Sequence, residues 1–99
     1  LALMATGAHG AISVASNAAP QMVAAMVHKA AEGNFADARE LHHKLWPLFK
    51  ACFVESNPVP VKAAMEALGL CSAAVRLPLS AASDSTRALM KKILDDMAV

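Results

Sequence analysis

Only one stretch of this chain reads as a β-strand. Gly10-Ala11-Ile12-Ser13-Val14-Ala15 is a short apolar run with two β-branched residues and turn-forming chemistry on both sides. A run of this kind fits a strand buried in a parallel sheet, although periodicity alone leaves a helical segment open. A strand needs neighbours for its backbone N–H and C=O groups, and a lone one cannot cover both of its faces. No second strand pattern follows, so the sheet to which this run would belong must lie outside these residues.

The rest of the chain has the period of helices. Leu1–Ala5 resembles the last turn of a helix, closed by Thr6-Gly7. After the Ser16-Asn17 loop, Pro20 stands where a helix tolerates a missing N–H, and a helix is expected over about 20–32. Its apolar face is Met22, Val23, Met26, Val27 and Ala30, and Gly33 ends it because glycine takes the left-handed conformation without a Cβ penalty. Strand, loop and helix together make half of a βαβ unit.

Asn34 caps the next helix, with Asp37 favourable near its amino end. The stripe Phe35, Ala38, Leu41, Leu45, Leu48, Phe49, Cys52 runs to about Phe53 and keeps its phase across Pro47, so a kink is expected there, not a break. Asn57-Pro58 reads as a cap followed by the first residue of a helix with Val61, Met65 and Leu68 as its face. Gly69 closes that helix, and Leu70 is placed for the apolar contact of a Schellman motif. Arg76-Leu77-Pro78-Leu79-Ser80 reads as extended. Ser83 or Ser85 caps a last helix with the face Leu89, Met90, Ile93, Leu94 and Met97, on which Lys91 and Lys92 reach Asp95 and Asp96 at i+4. Residues 34–99 thus read as a helical bundle.

Composition sharpens the dependence on something outside. The 99 residues are 57% apolar and only 17% charged, against about 45–50% and about 25% in ordinary soluble domains. A chain this short hides too little surface to bury that much apolar material alone. The sequence also begins within an apolar run and without an initiator Met, as if it were part of something longer. The net charge of +1 with no basic stripe excludes a nucleic-acid binder. No charged side chain precedes Lys29, but Thr6, Gly7, His9, Gly10, Ser13, Ser16, Asn17, Pro20 and Gln21 interrupt the stretch too often for a membrane span. No basic segment marks a secretory signal. Cys52 and Cys71 cannot staple a secreted scaffold, and their apolar neighbours suit small buried side chains in a reducing compartment.

Residues able to carry chemistry are few. His42 and His43 are adjacent, so on a helix they point about 100° apart and cannot chelate one ion together. No HExxH or CxxC accompanies the four histidines. Gly7-Ala8-His9-Gly10 resembles part of a phosphate-binding loop, but it precedes the strand instead of following one, and reads as a tight turn. Lys62 lies between apolar residues, where a desolvated lysine could act as a Schiff-base nucleophile. With no neighbouring acid or second cation, it reads as a surface or subunit-contact lysine. The chain has no tyrosine, which removes one common proton shuttle. The carboxyl end of the strand-like run is the better candidate, because ligands of parallel α/β folds gather there. Ile12, Ser13, Val14 and the Ser16-Asn17 loop could supply carbonyls, small hydroxyls and shape; a plain core strand is the other reading.

Gly10–Asn17 with Pro20, then Phe53-Val54-Glu55-Ser56-Asn57-Pro58-Val59-Pro60-Val61-Lys62, Leu68-Gly69-Leu70 and Arg76-Leu77-Pro78-Leu79, resemble in order and spacing the carboxy-terminal third of the dihydrodipicolinate synthase family. The Asn-Pro-x-Pro-x-Lys and Arg-Leu-Pro elements favour these synthases over related lyases that share their chemistry, such as N-acetylneuraminate lyase. The resemblance implies a fold that is mainly α in this chain: the last β/α unit of a (β/α)8 TIM barrel in residues 1–33 and a C-terminal helical domain in residues 34–99. It further implies a cytoplasmic homodimer or homotetramer that condenses pyruvate with aspartate semialdehyde through a lysine Schiff base, on the route to diaminopimelate and lysine. No cofactor or metal is implied.

By the same resemblance, the Schiff-base lysine, the tyrosine relay and the arginine that receives the second substrate all lie upstream of Leu1. Only Ile12 matches a position of the pyruvate site, where its main-chain carbonyl faces the reactive lysine. Lys62 matches a family lysine with a different role. These 99 residues alone are therefore expected to be inactive. The alternatives are an N-acetylneuraminate-lyase-like aldolase and a non-catalytic helical module that associates through its apolar face.

Overall fold

The computed structural model describes residues 1–98. Five helices follow in order: α1 (Ala2–Ala5), α2 (Pro20–Ala31), α3 (Phe35–Ala51), α4 (Val59–Ala67) and α5 (Asp84–Met97), with a 3-10 turn at Ala15–Asn17 between α1 and α2. Helix α2 packs on α3, α3 on α5 and α5 on α4. The molecule measures 41 × 27 × 20 Å, a slab about two helix diameters thick. Val99, the last residue of the expected helical domain, lies outside the described residues.

The helix ends form where their capping chemistry lies. Asn34 Oδ1 accepts from the Asp37 N–H at 3.2 Å and Asn34 Nδ2 donates to Asp37 Oδ2 at 2.8 Å. Helix α2 closes in a Schellman motif: the Asn34 N–H reaches the Lys29 carbonyl and the Gly33 N–H that of Ala30. Gly33 has φ +80°, a conformation costly for any residue with a Cβ. The same pair of bonds ends α4, from Leu70 to Met65 and from Gly69 to Glu66. Leu70 nevertheless keeps its side chain mostly exposed, so the backbone half of the expected motif forms and its apolar contact is slight. Of the two serines that could cap α5, Ser83 does so, its Oγ accepting from the Thr86 N–H at 3.2 Å.

The stripe on α3 forms the middle of the core. Ala38, Leu45, Leu48 and Cys52 are completely buried, joined by Val23, Met26 and Ala30 from α2 and Met90, Ile93 and Leu94 from α5. Helix α3 is unbroken across Pro47; that proline has no N–H to give the His43 carbonyl, and packing holds the helix together. A smaller cluster of Val59, Ala63 and Ala82, with Val75 and Leu79 against it, fixes the chain that returns from α4 to α5.

Several local expectations are corrected. No strand occurs among the described residues, and Gly10–Ser13 has no regular structure. A strand is defined by its pairing, and nothing here pairs with this segment. Helix α4 starts at Val59, with Pro58 as its cap residue and Pro60 in its first turn. The reason is a reverse turn at Asn57-Pro58, a cis bond, closed by the Val59 N–H to the Ser56 carbonyl at 2.9 Å. Its buried face is Val59, Pro60, Val61, Ala63 and Ala64, while Met65 and Leu68 are only half-buried. The Arg76–Ser80 stretch is likewise turned, not extended: the Leu79 N–H bonds to the Arg76 carbonyl at 3.0 Å.

Both cysteines are free, and only Cys52 is buried; Cys71 is carried to the surface by the turn after Gly69. Lys91 and Lys92 form no ion pair among the described residues. The cross-helix bond is instead Arg87 of α5 to Glu66 of α4. No helix among the described residues is long and apolar enough to cross a membrane.

Candidate functional site

From His9 to Ser13 no backbone group bonds to another backbone group among the described residues. Apart from the Ser13 carbonyl, which accepts from Ser16 Oγ, this is a row of free donors and acceptors of the kind that a sheet edge presents. Ile12 sits in the middle of it with its side chain fully exposed. An aliphatic side chain with no cover, on a backbone with no partners, marks a place where more structure belongs.

Behind this segment lies a groove of about 350 Å³ whose walls include Ile12, Val14, Met26, His42, Phe49 and Phe53. Phe53 and Val54 are themselves more than half exposed, so the apolar surface continues from the segment to the end of α3. Ser16 and Asn17 do not face this groove as ligand donors. Ser16 Oγ donates to the Ser13 carbonyl at 2.6 Å and Asn17 Nδ2 to the Val14 carbonyl at 2.9 Å, so both polar groups close the 3-10 turn. What remains to face a ligand or a neighbouring strand is backbone and aliphatic surface around Ile12. That arrangement can shape and align; it holds no nucleophile.

His42 is the residue of this groove that sequence reasoning missed. Read from the sequence, His42 is a surface or half-buried histidine that cannot chelate one ion together with His43. Its position seven residues before Phe49 and four before Trp46 puts all three on neighbouring helical rows, and the rings meet at centroid distances of 5.7 and 5.6 Å. Its Nδ1 is buried with no hydrogen-bond partner. Burial holds the imidazole below its ordinary pKa, with the chain's amino group and His43 adding to the effect. Among the described residues no three His, Cys, Asp or Glu side chains converge as metal ligands.

Lys62 is half-buried and its ammonium donates to the Ala74 carbonyl, tying α4 to the returning chain. The turn at Gly7 has φ +109° and is closed by the Ala8 N–H to the Leu3 carbonyl. Two carboxylates hold α5 in place. Glu66 Oε1 accepts from the Ala73 N–H at 3.0 Å and its other oxygen from Arg87. Glu55 Oε2 accepts from the Ser83 N–H at 3.2 Å, at the cap of α5. The Ala73 N–H and then Arg87 lower the pKa of Glu66; the Thr86 hydroxyl and then Ser83 lower that of Glu55.

The helical slab leaves one strand-like segment bare, and comparison with known proteins gives the family. The chain belongs to the Dihydrodipicolinate synthetase family, matched over residues 1–97. It is 48% identical over 97 residues to a 4-hydroxy-tetrahydrodipicolinate synthase of Kosmotoga olearia, covering 98% of this chain and 33% of that protein. The crystal structure of a dihydrodipicolinate synthase from Thermotoga maritima superposes with a TM-score of 0.95 at 42% identity, covering 98% of this chain and 33% of that one. A structure described as a monomeric dihydrodipicolinate synthase variant gives the same TM-score and identity, over 98% of this chain and 32% of that one. The chain therefore spans about a third of the length of the relatives it matches.

Proposed function

We propose that these residues are the carboxy-terminal third of a lyase that condenses pyruvate with aspartate semialdehyde, in the biosynthesis of diaminopimelate and lysine. The observation that carries this reading is the 48% identity to a synthase over 98% of the chain. In this reading residues 1–33 complete a (β/α)8 barrel and residues 34–99 form the helical domain beside it. The bare segment around Ile12 is then the eighth strand, and its missing neighbours are strands of the remaining chain. The free backbone groups and the fully exposed Ile12 support that placement.

The chemistry falls to residues outside this segment. A lysine amine adds to the pyruvate carbonyl and water leaves, giving an iminium. The iminium then accepts the electrons released when a methyl proton is removed, and the resulting enamine carbon attacks the aldehyde. Within this chain Ile12 is the contribution to the pyruvate site. Its main-chain carbonyl faces the Schiff base, and the helical slab holds that carbonyl in position through the 3-10 turn at Ala15–Asn17. These residues alone bind no pyruvate covalently and turn nothing over. The whole protein works in the cytoplasm as a homo-oligomer.

The test is trapping with pyruvate and borohydride on the full-length protein, followed by peptide mapping. An adduct on a lysine upstream of Leu1 is expected, together with none on the 99-residue chain by itself. No adduct on the full-length protein would contradict the Schiff-base reading, and an adduct on Lys62 would overturn the assignment of roles.

A further inference from the structure

A groove of about 540 Å³ lies between the start of α4 and the chain returning along residues 74–79. Its walls are Pro58, Lys62, Ala74, Val75, Arg76 and Leu79. Two of those six residues are cations. Lys62 spends one of its three N–H bonds on the carbonyl of Ala74, another residue of the groove wall, and leaves two donors unused. Arg76 is exposed, and its guanidinium makes neither a hydrogen bond nor an ion pair among the described residues.

The carboxylates that could neutralise this pair are engaged elsewhere. Glu66, on the same helix as Lys62, holds the Ala73 N–H and Arg87. Glu55, which precedes the turn into α4, holds the cap of α5. The groove thus keeps two uncompensated positive charges, and the amino end of α4 adds the positive pole of its dipole. Pro58, Val75 and Leu79 supply aliphatic walls beside the charges. A planar fork, a point charge and an apolar wall together match a carboxylate that carries a short hydrocarbon body.

We infer that the Lys62–Arg76 groove is a binding site for a small aliphatic carboxylate, separate from the surface around Ile12. The carboxylate lies across the Arg76 guanidinium with one oxygen towards Lys62, and its alkyl chain rests on Val75 and Leu79.

The experiment is saturation-transfer NMR with butyrate as the probe on the full-length protein, wild type and Arg76→Gln. A saturable signal with a Kd of about 1–10 mM is expected. It weakens about tenfold in Arg76→Gln and by less in Arg76→Lys, which keeps the charge and loses the fork. Butylammonium, of similar length and opposite charge, gives no saturable signal. Because the Arg76 side chain has no partner here, Arg76→Gln keeps the wild-type melting temperature. A butyrate signal equal in wild type and Arg76→Gln would put the ligand elsewhere and overturn the inference. So would no saturable signal up to about 100 mM. No butyrate signal in wild type together with a lower melting temperature in Arg76→Gln would show that a carboxylate of the full-length protein itself fills the groove, and would overturn it as well.

Discussion

The centre of α3 and the segment around Ile12 are both aliphatic, and they sit in opposite circumstances. Leu45 and Leu48 have 0% of their surface exposed, packed between α2 and α5. Ile12 is fully exposed at the end of a run, His9–Ile12, whose backbone groups find no partner among the described residues. The helices make their own hydrogen bonds and need neighbours only for one face. A strand needs neighbours for its backbone too. The contrast separates the part of the chain that is complete in itself from the part whose backbone and side chain lack partners.

That contrast breaks most sharply under substitution. Leu45→Ala is expected to destabilise the fold by about 2–5 kcal/mol, because the void cannot be refilled between two packed helices. Ile12→Ala is expected to change the stability of the 99-residue chain by no more than about 0.5 kcal/mol, as at an exposed site without partners. In the full-length protein Ile12→Ala is expected to cost far more, because the proposed eighth strand would bury that side chain. Urea unfolding of both variants in both contexts reads the difference; an equal effect of Ile12→Ala in the two would erase it.

Next in size is the cap of α5. Ser83 Oγ accepts from the Thr86 N–H and donates to Glu55. Ser83→Ala is expected to cost about 1 kcal/mol in a chemical denaturation series. Ser85→Ala, whose hydroxyl meets only Ser83, should cost clearly less.

The thiols separate the two environments by reactivity. Burial pushes Cys52 up to about 11, whereas Cys71 is exposed. An alkylating reagent at neutral pH should label Cys71 in the folded chain and reach Cys52 only on unfolding. Prompt labelling of both would mean that the core under α3 is open.

Acid supplies a finer probe. His42 has a folded pKa below its ordinary 6.5. Its neutral form is favoured on folding, so its share of stability is full above that value and declines as pH falls towards the folded one. Glu55 and Glu66 are lowered from 4.5. Their shares are present above 4.5 and vanish as pH falls through the lowered values. All three act in one direction, with His42 first. The melting temperature should fall in two stages on acidification. His42→Phe should remove the first stage and Glu66→Gln part of the second.

The helices were legible because each carries its own signal. Asn34 with Asp37, Gly33, Gly69 and Ser83 announce ends, and the α3 stripe announces a buried face. Cross-chain features were not. The start of α4 at Val59 and the turn at Leu77-Pro78 depend on how prolines seat against packed neighbours, and a proline preference alone pointed to the wrong local shape. The exposure of Cys71 follows from the direction in which the chain leaves Gly69. Glu55 and Glu66 act on residues 28 and 21 positions away, a distance at which sequence spacing carries no information. The candidate site was legible as a strand end, and its resemblance to the synthases named Ile12. His42 was hidden because its role comes from the groove that the segment and α3 make together.

The central proposal is that the bare segment around Ile12 becomes a strand when the rest of its sheet is present. Amide hydrogen exchange, on the 99-residue chain and on the full-length protein, tests it most directly. The amides of His9–Ser13 should exchange at unprotected rates in the 99-residue chain and be strongly protected in the full-length protein, while those in the middle of α3 are protected in both. Protection of His9–Ser13 in the short chain, or fast exchange there in the full-length protein, would contradict the account.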